Sequence, residues 1–115
     1  MSGPKRVQLR RTKGWRKPAG AVVVARPSKW GNPFSLASYR AGHPGADERE
    51  LRRLAVADFR ALLQGDPAGG PPYPRKSIGE LAGHDLCCWC PLDQPCHADV
   101  LLELANPGWI RRSAG

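Results

Sequence analysis

A chain of 115 residues with 41% hydrophobic content has room for one domain around one modest core. Its longest apolar runs, AVVVA and VLL, are far too short to span a membrane, and the charged N-terminus MSGPKRVQLRR has no apolar stretch behind it, so it does not read as a secretory signal and the cytoplasm is the expected location. The net charge of +8 is unevenly placed: ten of the eighteen lysines and arginines precede Asp47, and all ten acidic residues lie from Asp47 onward. That asymmetry points to an anionic partner, either nucleic acid or a phosphorylated small molecule, with a merely solvated basic arm as the plainer reading.

In chain order, VQLRRT at 7–12 alternates weakly and reads as a strand that stops at Lys13-Gly14. AVVVA at 21–25 is a β-branched run halted by Arg26-Pro27, the pattern of a buried strand. RPSKWGNPF follows, too rich in proline, glycine and asparagine for regular structure. It is a loop carrying Lys29, Trp30 and Asn32, unusual equipment for a plain connection. ADERELRRLAVADFRALLQG is the clearest helix, with Asp47 as cap, Glu50 as the capping-box partner and Gly65 as the stop. Leu51, Leu54, Ala55, Phe59 and Leu62 share one side of it, and Arg49, Arg53 and Arg60 the other. Asp58 falls within the apolar side, where it either meets a basic partner or sits at the stripe's edge in water.

Residues 66–76, DPAGGPPYPRK, are a loop, and SIGELAG repeats the capping-box pattern at Ser77 and Glu80, a short helix ending at Gly83. DLCCWC reads as a strand and HADVLLELAN as a helix that stops at Asn106-Pro107. The tail is expected to be ordered through Trp109 and Ile110 and frayed over 111–115. Alternating strands and helices give a small single-domain α/β fold over residues 1–110, its sheet partly parallel with flanking helices. Both suspicious loops, RPSKWGNPF and PLDQP, start at strand ends, so they are placed to face one crevice beyond the sheet's carboxyl edge.

All four cysteines and one of the three histidines lie within residues 87–97. Without export, such thiols read as reduced groups or metal ligands rather than disulfides. In a strand, Cys88 and Cys90 point one way while Cys87 and Trp89 point the other, and Cys96 and His97 open the last helix. Cys88, Cys90, Cys96 and His97 offer three sulfurs and a nitrogen, the donor types zinc prefers. The spacing C-x-C-x5-C-H departs from paired zinc knuckles, and adjacent Cys96 and His97 are awkward partners on one tetrahedral ion. A catalytic reading uses the same residues differently. At a helix N-terminus the Cys96 thiol is expected to have a lowered pKa, reinforced by His97, beside a place for phosphate, with Asp99 orienting an imidazole or capping the helix. Such a thiolate suits attack on a sugar, acyl or phosphoryl centre. Cys87 is best read as a small buried hydrophobe. In the WGNPF loop, Arg26 and Lys29 suit phosphate, Trp30 suits stacking, and Asn32, beside Gly31, suits a polar edge. Alternatively Trp30 enters the core while Asn32 and Pro33 only make the turn.

KRVQLRRTKGWRKP, RPSKWGNPF and LAGHDLCCWCPLDQPCHADVLLELAN together resemble a family of small bacterial and phage proteins, frequent in actinobacteria and known as a domain of unknown function. The resemblance implies that Arg26, Pro27, Lys29, Trp30, Gly31, Asn32, Pro33, Phe34, Cys88, Cys90, Cys96, His97 and Asp99 are signature positions and that Cys87 is an individual variation. More loosely, a strand ending in cysteine before Cys-His at a helix start is similar to a second group of small domains that looks Rossmann-like. The leading expectation is a domain that binds a nucleotide-like or phosphorylated ligand between the WGNPF loop and the Cys96-His97 helix start, and acts on it through Cys96 or His97. Two other classes stand beside it: a zinc-stabilised nucleic-acid-binding module using the basic N-terminal segment, and a phage or host interaction protein with structural cysteines.

Overall fold

A computed structural model describes residues 4–65 and 70–109. Its centre is a three-stranded sheet in which β1 (Arg6–Gln8) and β2 (Val22–Val23) flank β3 (Leu86–Cys88), and both pairings are parallel. The register sets Leu86 opposite both Arg6 and Val22, and Cys88 opposite Gln8. Every residue of β3 is buried, which is why LCC shows no polar alternation: a central parallel strand is covered all round. The α/β expectation therefore holds, with shorter strands than the apolar runs suggest. β3 does not extend to Cys90, because both neighbours leave it first. Val24 N–H reaches back to the Cys87 carbonyl, Leu9 N–H to that of Cys88, and Trp89 and Cys90 lie in a bend.

Among the described residues there are four helical elements: α1 (Leu36–Arg40), α2 (Glu48–Gln64), a 3-10 helix (Arg75–Leu81) and α3 (His97–Ala105). α2 begins where the capping logic places it, the Asp47 carboxylate accepting from Glu50 N–H at 2.8 Å. Leu51, Ala55, Phe59 and Leu62 are buried, whereas Leu54 is only partly covered. Asp58 lies in water at the stripe's edge, and its partner is the Tyr39 hydroxyl of α1 rather than a basic residue of the N-terminal segment. α1 carries no sequence signal: it has five residues, no side-chain cap and nothing buried. The SIGELAG segment folds as a 3-10 turn led by Pro74, with no side-chain cap, so Ser77 and Glu80 do not form a capping box. Pro74 precedes the stretch and the positive-φ Gly83 follows it, which bounds it at both ends.

α3 packs against β3, β1, α2 and the 3-10 helix, and it is buried from His97 through Leu102. It stops at Asn106, whose amide side chain accepts from Gly83 N–H and donates to the Leu102 carbonyl. Phe59 of α2 lies fully inside, its ring edge-on to Tyr73 at 5.1 Å and to His97 at 5.2 Å between centroids. The expectations for Ile110 and for 111–115, and part of the loop read over 66–76, lie outside the described residues. Among the described residues no helix is long and apolar enough to cross a membrane.

Candidate functional site

The carboxyl end of β3 delivers Cys88, and the chain then turns through Pro91 and Pro95 to set Cys96, in extended backbone, at the start of α3. Asp99 closes that start, its carboxylate accepting Cys96 N–H at 3.4 Å, so Cys96 and His97 are fixed by a capping box. The turn itself is held by Arg6, whose side chain is only 5% exposed. The Arg6 guanidinium donates to the carbonyls of Pro91, Leu92 and Gln94 between 2.7 and 2.9 Å, and pairs with Asp99 at 3.5 Å. Sequence reasoning counted Arg6 with the basic segment. Nothing in the residue pattern separates a cation that clamps a loop from one that faces water.

The outcome is convergence. One side-chain donor atom each of Cys88, Cys96 and His97 lies within 4.8 Å of the others, and all three residues are buried. His97 Nε2 is 2.8 Å from the Val24 carbonyl, which can only accept, so Nε2 carries a proton and Nδ1 is the nitrogen that faces the Cys96 sulfur, at 3.7 Å. A backbone carbonyl that fixes the tautomer in this way is the usual support behind a metal-ligating histidine. Cys90 Sγ comes within 3.8 Å of Cys88 Sγ, although Cys90 is past the strand and half-buried. Adjacent Cys96 and His97 do converge, because the backbone passes from extended to helical between them.

The three sulfurs lie within hydrogen-bonding reach of one another. The Cys88 thiol is lowered, because its sulfur accepts from Cys90 and then Cys96, with His97 adding to the effect. Cys90 is raised by donating to Cys88 and Cys96, and Cys96 is pushed up to about 12, first by its bond to Cys88 and also by burial. The expected lowering thus falls on Cys88 and not on Cys96. Neighbouring sulfurs and burial outweigh the amides of the helix start. A lowered Cys88 thiol beside the Cys96 sulfur and an imidazole is an arrangement that a cation would complete. Cys87 is apart from this, fully buried, its thiol raised by burial.

A pocket of about 230 Å3 opens beside the cluster, between the WGNPF loop and the start of α3. Cys88, Cys90, Cys96 and His97 line it on one side and Arg26, Asn32 and Phe34 on another, so both strand-end loops do meet in one crevice. The WGNPF side chains divide their roles. Trp30 is 5% exposed and belongs to the core, its carbonyl accepting from the Tyr73 hydroxyl, so its ring is not offered to a ligand. Lys29 is exposed and lies over that ring at 4.8 Å. Asn32 makes the turn, Oδ1 accepting from Phe34 N–H at 2.9 Å and Nδ2 donating to the Ala55 carbonyl of α2 at 3.4 Å. Gly31 has to be glycine: a Cβ there would stand 2.7 Å from Arg26 Cγ. Asp99 faces Arg6 rather than the pocket. The pocket also has lining residues the sequence did not suggest, among them Arg52 of α2 and Trp89, which is 43% exposed with the Arg11 guanidinium 4.7 Å over its ring.

Residues 7–107 match the model of the family described as Domain of unknown function (DUF4326). The chain belongs to that family. No curated protein and no solved structure matches this member of DUF4326. The matched span runs from Val7 within β1 through α3, hence over the Cys/His cluster, the WGNPF loop and Arg26.

Proposed function

We propose that this DUF4326 domain binds a transition-metal ion, zinc by the character of its donors, through Cys88, Cys96 and His97. The observation that carries the reading is the 4.8 Å convergence of two sulfurs and an imidazole whose other nitrogen is tied to the Val24 carbonyl. The experiment is metal content per chain by native mass spectrometry on protein purified without chelators. About one zinc per chain is expected, lost in Cys96→Ser together with a fall in Tm. Metal-free protein that takes up no added zinc overturns the reading.

The pocket favours a second reading, binding of a nucleotide-like or phosphorylated ligand beyond the carboxyl ends of the parallel strands, as in a Rossmann-like domain. Support for it is the position of the pocket against Cys96, His97 and Arg26. Against base stacking stands the burial of Trp30. Differential melting with a nucleotide panel tests it, a rise in Tm supporting it and no response across the panel opposing it. Salt-sensitive binding to arbitrary DNA or RNA through the basic N-terminal segment would instead favour a nucleic-acid module. Binding of a phage or host protein by a chain with neither metal nor ligand would favour the interaction role.

A further inference from the structure

A tetrahedral ion on Cys88, Cys96 and His97 keeps one more position. Cys90 is the nearby candidate, its sulfur 3.8 Å from that of Cys88, yet it is not one of the three mutually close donors and stands past the end of β3, half-buried. All four residues border the pocket. Arg26 lines the same space. Its stem is pinned by the close approach of Gly31 and by the bond from Nε to the Asn32 carbonyl at 2.8 Å. Its terminal nitrogens have no hydrogen-bond partner among the described residues. Arg52, the other guanidinium on the lining, is engaged with Gln94 and Glu48. Phe34, Leu36 and Val56 supply apolar wall. A sealed site of three cysteines and one histidine needs neither the opening nor the poised guanidinium.

We propose that the fourth position belongs to a small organic anion, its carboxylate or phosphate head between the ion and Arg26 and its apolar body against Phe34, Leu36 and Val56. This rests on the metal reading above and names the ligand class of that site. A planar guanidinium with both terminal nitrogens free pairs with an oxyanion in two parallel hydrogen bonds, a fit a point charge does not give. The volume of about 230 Å3 is below the roughly 300–1,000 Å3 of pockets for drug-sized molecules, so the occupant is compact. Trp30 and Lys29 do not line the pocket, so the aromatic groups that face an occupant are Phe34 and Trp89.

The test uses the whole chain loaded with cobalt(II), whose visible absorption reports the ligand set, and two probes, benzoate and phenylphosphonate. Cobalt uptake is measured first, and failure to bind either cobalt or zinc overturns the metal reading itself. With cobalt bound, at least one probe is expected to change the d–d bands saturably, and which of the two binds tighter assigns the head group. Arg26→Ala is expected to keep one cobalt per chain and an unaltered spectrum without probe, while binding the probe at least tenfold more weakly. Cys90→Ser is expected to retain both the metal and the response. The proposal fails if neither probe alters the spectrum of the loaded chain. It fails equally if Cys90→Ser removes a thiolate's share of the sulfur-to-cobalt absorption, which marks a closed site.

Discussion

The two loops that border the pocket are built on opposite plans. The loop after β2, from Arg26 to Phe34, holds itself together: Asn32 bonds within its own turn, Arg26 folds back over Gly31, and Trp30 anchors the whole in the core. The loop after β3, from Trp89 to Pro95, makes one turn bond of its own, from Gln94 N–H to the Pro91 carbonyl, and is clamped by guanidiniums brought from elsewhere. Arg6 of β1 takes three of its carbonyls, Arg49 of α2 takes that of Asp93, and Arg52 takes the Gln94 side chain. The self-held loop sets the shape of the pocket. The imported cations set where Cys96 and His97 stand relative to Cys88, so metal affinity should depend on residues far from the cluster in sequence.

The largest effect that bears on this contrast is Arg6→Ala. It removes the guanidinium that three carbonyls and the mostly buried Asp99 share, and removing one partner of a buried pair costs about 3–5 kcal/mol. Chemical denaturation should show that loss, and zinc affinity by chelator competition should fall with it, because the segment joining Cys88 to Cys96 loses its clamp. Trp30→Ala should destabilise by a similar amount, about 3–5 kcal/mol from the cavity left in the core. Yet the variant should retain one zinc per chain. If Trp30→Ala weakens zinc as much as Arg6→Ala does, the two loops are not independent and the contrast is wrong.

A smaller effect sharpens the same point. Asn32→Ala removes the acceptor of Phe34 N–H and the longer bond to Ala55, about 1–2 kcal/mol for a half-buried amide left without its partner. Denaturation measures the loss. Zinc should again stay, and the change should appear as weaker binding of an anionic probe, because the Asn32 carbonyl that pins Arg26 moves with the turn.

How far these parts were legible in the sequence follows from how local their causes are. The cap at Asp47, the apolar side of α2 and the stop of α3 at Asn106 each depend on neighbours within a turn, and each was readable. The cysteines were readable as a group because strand alternation and a helix start constrain where few residues can point. Arg6 was not, since its role depends on a loop some 85 residues away that only the parallel register brings alongside. Trp30 was ambiguous for the same reason: the hydroxyl and the ring that enclose it belong to Tyr73. A helix start is a local feature, so the sequence points to Cys96 for the lowered thiol pKa. The sulfur neighbours that move it to Cys88 are set by tertiary structure.

The smallest effect concerns Lys29. Its ammonium lies 4.8 Å over the Trp30 ring and in solvent, away from the pocket lining. Exposed cation–π pairs stabilise by about 0.5–1 kcal/mol, so Lys29→Ala should lower stability by about 0.5 kcal/mol. If Lys29 serves only to cover the outer face of Trp30, benzoate and phenylphosphonate should bind the cobalt-loaded variant as they bind the native chain. If it neutralises phosphate, phenylphosphonate binding should weaken and become less sensitive to salt, while benzoate binding changes less. The first result leaves Arg26 as the loop's one contribution to an anion site. The second restores the phosphate role suggested by the RPSKWGNPF sequence and extends the site beyond the pocket.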